Sequence, residues 1–233
     1  MIRPLVLGLL AAALLASPAH AAVAPVETEI TRTAMLLTLL AIIPALIVSA
    51  TSFLRIVIVL AMVRHAFGMP QTPPNVVLTS LALFMSAFLM GPTLDRVNNE
   101  ALQPFLEGRA GVQETLDRGA DPLRVFMLRN TREQDIEMVY RISRAPLPAS
   151  AEEVAMLKLI PAFMLNELRV AFTIGFVILL PFLLIDLVVA SILLSLGMMM
   201  VPPATIALPI KVLMFVLIDG WGLVLEGLLG SFA

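Results

Sequence analysis

Unbroken apolar length constrains this chain more than any other feature. Four stretches, Thr33–Thr51, Val76–Leu94, Val170–Leu196 and Ile206–Leu229, each approach the ~20 residues a helix needs to cross a hydrocarbon core. Inside a bilayer, backbone N–H and C=O groups find no water, so such segments fold as helices. No strand-like alternation, internal repeat or low-complexity tract interrupts them. The chain reads as an all-α membrane protein. Composition agrees: 60% of residues are hydrophobic and 14% charged, with a mean hydropathy of +0.99. Soluble domains run nearer half apolar and a quarter charged.

The first 21 residues form a different pattern. Arg3 gives a basic start, Leu5–Ala16 a short apolar run, and Ala19-His20-Ala21 an A-x-A site. This is the pattern of a cleavable bacterial secretory signal; an uncleaved first span is the competing reading. Cleavage places the mature start in the periplasm. Residues 22–94 then hold two apolar helical segments joined by a basic connection, where Arg55, Arg64 and His65 meet no acid. Short basic loops stay cytoplasmic. Within that connection Ile56–Val63 is too short to span. It is expected to prolong the first helix or to pack as a second arm on protein.

Residues 95–169 carry mixed charge and read as a helical periplasmic region. "TREQ" (131–134) fits a capping box, with Thr131 as N-cap and Gln134 three residues on, and "SAEE" (150–153) fits another. The first is expected to open a helix to about Arg144, ended by "APLP" (145–148). The second is expected to open a helix that carries Pro161 towards the third apolar segment. Residues 170–233 form a helical hairpin whose tip, "GMMMVPP" (197–203), faces the cytoplasm. Pro44, Pro181 and Pro209 fall inside apolar segments and are expected to kink them. Ala171 and Gly175, four apart, permit close helix contact.

Several functions are excluded or weakened. The formal net charge of -2 offers no basic surface for nucleic acid. With no cysteine there is no disulfide, thiol chemistry or Cys-ligated metal, and His65 is the only histidine beyond the signal. No phosphate-cradling loop, H-E-x-x-H or G-x-S-x-G occurs. No cofactor and no enzymatic activity are expected. The ionisable residues in apolar segments are Asp186, Lys211, Asp219 and Glu226. Such residues are costly there and are paired or functional. Counted outwards from the hairpin tip, Asp186 and Lys211 reach similar depth. A structural pair or a proton relay are both open.

Met198, Met199 and Met200 lie between Gly197 and Pro202-Pro203, residues that end a helix and hinge a loop. Met has three rotatable bonds and a polarizable sulfur, so it fills irregular gaps and re-packs around changing partners. A ring of such loops would close a pore against ions and yield to a polypeptide. Ordinary apolar packing is the alternative.

The stretches "TSFLRIVIVLAMVRHAFG" (51–68), "QTPPNVVL" (71–78), "FMLRNTRE" (126–133) and "LPFLLIDLVVASILLSLGMMMVPPATIALPIKVLMFVLIDGW" (180–221) resemble the FliP family of type III export-gate proteins. The resemblance covers essentially the whole mature chain. It implies kinked helical hairpins assembled into an oligomeric ring, pentameric in the family, with FliQ and FliR, and with FlhA and FlhB nearby. Unfolded flagellar proteins would pass through its channel across the inner membrane, at the flagellar basal body. Met198, Met199 and Met200 match the family's gasket, Asp186 and Lys211 its charged hairpin positions, and Phe126 an aromatic position implied to line the channel. Thirteen residues beyond Phe126, where some members carry a second Phe, this chain has Val139 followed by Tyr140. The family is also implied to lift its apolar helices towards the periplasm on assembly. The signal peptide resembles flagellar members more than the virulence branch. A small-solute or ion transporter, or a scaffold that lines no channel, are the rival classes.

Overall fold

The computed structural model describes residues 33–34, 37–38, 41–42, 44–69 and 71–232. The chain divides into two units, Met1–Pro44 and Ala45–Ala233, and the labelled elements belong to the second. The signal reading at 1–21 and much of the first apolar segment lie outside the described residues.

Every regular element among the described residues is helical. From Phe53 onwards they are, in order, α1 (Phe53–Ala66), α2 (Asn75–Leu89), α3 (Gly91–Val97), a π-helical turn (Asn98–Leu102), α4 (Gln103–Leu106), α5 (Val112–Arg129), α6 (Glu133–Ile142), a 3-10 turn (Ala151–Glu153), α7 (Met156–Ser195), α8 (Pro203–Leu217) and α9 (Gly220–Leu229); a short helix ending at Ala50 precedes them.

α1 forms the centre of the main core. Ile56, Val59, Leu60 and Val63 repeat at helical spacing and are fully buried. They meet Leu78 and Ala82 of α2, Ala171 and Phe182 of α7, Phe215 of α8, and Val224 and Leu228 of α9. Phe67 lies edge-on to Phe182 at 5.3 Å and to Phe215 at 4.8 Å. Of the two expectations for Ile56–Val63, the structure takes the packed arm. α1 meets the short helix ending at Ala50 at 78°. The flanking arginines need correction as well: Arg55 and Arg64 are buried. Arg55 is neutralised by Glu167, and Arg64 donates to the Pro73 carbonyl and Asn75 Oδ1. Cations engaged inside the protein do not report on which side of a membrane a loop lies.

α7 runs for 40 residues, about 60 Å at 1.5 Å per residue. It is the one described helix long and apolar enough to cross a membrane by itself; counting each bent pair as one span gives up to four. Its first turns bury Leu159 and Phe163 against Met127, Tyr140 and Val154, a second core. Its last turns bury Val189 and Leu193 against Ala207 of α8. Between them Gly175 lies so close to α1 that a Cβ would stand 2.2 Å from Met62 Sδ. Together with fully buried Ala171, this makes the expected small-residue seam the α1–α7 contact.

The helices do not break at Pro161, Pro181 or Pro209: α7 continues through the first two and α8 through the third. The second apolar segment instead breaks at Met90, where α2 and the following helical stretch meet at 67°. The fourth breaks before Gly220, with α8 and α9 at 65°. There Asp219 takes a left-handed φ of 51°, and Gly220 sits where a Cβ would be 2.2 Å from the Phe215 ring. The chain can fold back onto Phe215 only because Gly220 lacks that atom.

Both expected capping boxes are corrected. Thr131 sends its hydroxyl back to the Met127 carbonyl at 2.6 Å, and α6 starts after Arg132 with no side-chain cap. A threonine just past a helix can satisfy that helix's free carbonyls as readily as it can start the next. "SAEE" opens only the 3-10 turn Ala151–Glu153. The helix carrying Pro161 starts later, at Met156, and does run into the third apolar segment.

Candidate functional site

The tip between α7 and α8 is built from the end of α7. Leu196 closes the helix and Gly197 follows with φ +74°. The Met198 amide donates to the Leu193 carbonyl at 2.9 Å and the Gly197 amide to Leu194 at 3.0 Å. These are the paired bonds of a glycine helix stop. At the far side Pro202 caps α8 and Pro203 is its first residue, where a missing N–H costs nothing. Val201 packs onto Val189, Leu193 and Ala207, anchoring the loop. The methionines point away from that anchor: Met198 is 44% exposed, Met199 81% and Met200 97%. Within one chain they make little packing of their own, unlike ordinary core methionines. The tip is thus a seated base carrying three free, flexible apolar side chains.

Below the tip, Lys211 Nζ donates to Asp186 Oδ2 at 2.7 Å and to the Ala66 carbonyl at 3.1 Å. Ala66 is the last residue of α1, where a cation suits both the unpaired carbonyls and the helix dipole. Lys211 is buried while Asp186 is half exposed. One ammonium therefore joins α7, α8 and the end of α1. Asp219 and Glu226 are both exposed.

Phe126 of α5 is half-buried. It lines a cavity of about 520 Å³ with Phe88, Arg96, Pro122, Arg129 and Phe232 among the walls. Val139 does not join it there, and Tyr140 is buried with its hydroxyl accepting from the Ala155 amide at 3.0 Å.

Sequence reasoning missed the interior ion pairs. Arg55 and Glu167 are both buried and joined by two hydrogen bonds, one of 2.9 Å from Arg55 Nε. Buried Asp135 of α6 accepts from Arg169 of α7 at 2.7 Å. Asn166 of α7 donates to the Asn130 carbonyl. Asn166, Glu167 and Arg169 lie in one α7 turn, immediately before the apolar run counted from Val170. A charged turn abutting an apolar helix was the available signal. Arg55, alone between Leu54 and Ile56, was the other half.

The sequence profile of the FliP family matches residues 36–228, a stretch that holds the methionine tip, both hairpin charges, Phe126 and the Arg55–Glu167 pair. The chain belongs to the FliP family. It is 51% identical over 201 residues to a flagellar biosynthetic protein FliP of Pectobacterium carotovorum subsp. carotovorum, covering 86% of this chain and 78% of that protein. To FliP of Bacillus subtilis (strain 168) it is 43% identical over 198 residues, covering 85% and 90%. To FliP of Caulobacter vibrioides it is 46% identical over 197 residues, covering 84% and 74%. Family membership and the apolar helices together make this a flagellar biosynthesis protein of membrane character.

Proposed function

We propose that this chain is a core subunit of the flagellar type III export gate, forming with copies of itself the channel through which unfolded flagellar proteins cross the inner membrane. The observation that carries the reading is the family match over residues 36–228, which runs from before α1 to the end of α9 save its last residue. In this reading FliQ and FliR complete the gate, FlhA and FlhB lie near its entry, and the family's pentamer sets the copy number. The assembly belongs to the basal body in the inner membrane.

The parts then take roles. Met198, Met199 and Met200 from successive subunits meet at the axis and seal the closed channel. Their exposure in one chain, on a loop held by Val201, supports that role. Gly197, Pro202 and Pro203 bound the loop and let it yield while α7 and α8 stay fixed. Asp186 and Lys211 act as a structural pair, because Lys211 also holds the end of α1 and is largely shielded from water. Phe126 lines the path on the side of residues 95–169, which are taken as the periplasmic region; residues 22–94 and 170–233 supply the apolar helices around it. The three sharp bends and the buried ion pairs suit helices packed against partners more than helices lying singly in lipid. No bond-making chemistry enters this reading.

Deleting the gene in a motile host is expected to stop filament protein from appearing in the medium, and a plasmid copy to restore it. Normal filament export without the gene contradicts the reading.

A further inference from the structure

Arg55 makes more bonds than an ion pair requires. Two of its nitrogens serve Glu167. The third, Nη1, donates at 2.7 Å to the Ser231 carbonyl and at 3.0 Å to the Ser231 hydroxyl. The guanidinium also lies 3.7 Å from the centroid of the Phe232 ring. That ring stacks on Phe126, with centroids 6.5 Å apart and planes 24° apart, and Phe126 meets Phe163 edge-on at 5.9 Å. A continuous stack thus runs from a buried cation to the aromatic wall of the cavity that Phe126 and Phe232 share. The amides of Gly230, Ser231 and Phe232 bond only to carbonyls three or four residues back. Bonds of that kind at a chain end reach no other element and fray when nothing else holds the segment down. Phe232 packs on the main core as well, and Arg55 supplies the hydrogen bonds that tie the segment to α1 and, through Glu167, to α7.

We propose that Arg55 is a positioning residue for the Phe126 cavity. Held in place by Glu167, it seats Ser231 and Phe232, and Phe232 fixes the ring of Phe126 in the cavity wall. A guanidinium suits this task and an ammonium does not: its planar fork serves a carboxylate and a carbonyl at once while its face covers an aromatic ring. The inference concerns the conformation of this chain and holds whatever passes the cavity.

The test is hydrogen exchange of the full chain in detergent, read by mass spectrometry in two peptides, one spanning 53–66 and one spanning 229–232. Removing Arg55 alone would strand a buried carboxylate, so the first variant combines Arg55→Met with Glu167→Leu, since apolar pairs often replace buried ion pairs without loss of fold. Exchange at 230–232 is expected to rise at least about tenfold while 53–66 keeps its protection. A pair that merely holds α1 to α7 would loosen 53–66 instead. Unchanged exchange at 230–232 in the folded double variant overturns the proposal. Should that variant not fold, Arg55→Lys decides, because it keeps a cation beside Glu167 and loses the fork that reaches Ser231. The chain has no cysteine, so a single Val125→Cys in the cavity wall reports cleanly. Its maleimide labelling is expected to quicken several-fold with Arg55→Lys; an unchanged rate overturns the proposal.

Discussion

Lys211 shows how much one residue can decide. Its ammonium bonds Asp186 and the Ala66 carbonyl from a buried position. Hydrogen bonds to a charged group contribute about 1.5–3 kcal/mol each way they are counted. Lys211→Met is therefore expected to lower stability by about 2 kcal/mol, read as a drop in Tm in detergent. Adding Asp186→Leu should recover part of that loss, because no charge is then left unpaired. A structural pair also predicts that the double variant still exports. A proton relay predicts that it exports nothing even when it assembles, which would overturn the structural assignment. Gly220 decides a backbone course in the same way. A Cβ there would stand 2.2 Å from the Phe215 ring, which is wedged between Phe67 and Trp221 and has nowhere to go. Gly220→Ala is expected to cost about 1–3 kcal/mol through overpacking, measured as loss of thermal stability.

Among the elements, the hydrophobic pattern located the helices and hid where they bend. The span pattern at Val76–Leu94 is continuous in hydropathy, yet the chain turns at Met90. Hydropathy reports what surrounds a segment, not its direction. At the α8–α9 bend Gly220 sits under Phe215, only just upstream, but that ring is held in turn by Phe67, far away in the sequence, which no local window contains. The prolines inside α7 and α8 did not mark breaks. A proline removes one backbone bond, and a long helix packed on its neighbours continues past the missing bond, as α7 does at Pro161 and Pro181. The tip was legible because glycine and proline act locally. The Lys211–Asp186 contact was reachable by counting from that tip, whereas Arg55 and Glu167 stand 112 positions apart and only folding brings them together. The α1–α7 seam yields its own prediction. Gly175→Ala pushes a methyl into Met62 and is expected to destabilise by about 1–3 kcal/mol. Met62→Ala in the same chain should restore most of it, since a flexible side chain is what stands in the way. Equal, additive losses from the two changes would place the strain elsewhere.

For the whole molecule, α1 and its buried stripe make a rigid centre that holds α7, α8 and α9, and the methionine tip is carried at the far end of α7. Under the proposed function, this sets a packed frame against an end of flexible side chains, as a seal that must reopen requires. Large apolar faces of α2, α7 and α8, including Phe84, Phe88, Leu184, Leu187 and Leu217, remain exposed in the single chain. Surfaces of that kind are covered by lipid or by neighbouring helices. The central claim is that Met198, Met199 and Met200 close a pore. The most direct measurement is ion leak across the inner membrane when the triple variant Met198→Ala, Met199→Ala, Met200→Ala is co-expressed with its partner subunits. A leak well above that of the unaltered chain is predicted. No rise, in a complex shown to assemble, would contradict the account and leave the methionines as packing or hinge residues.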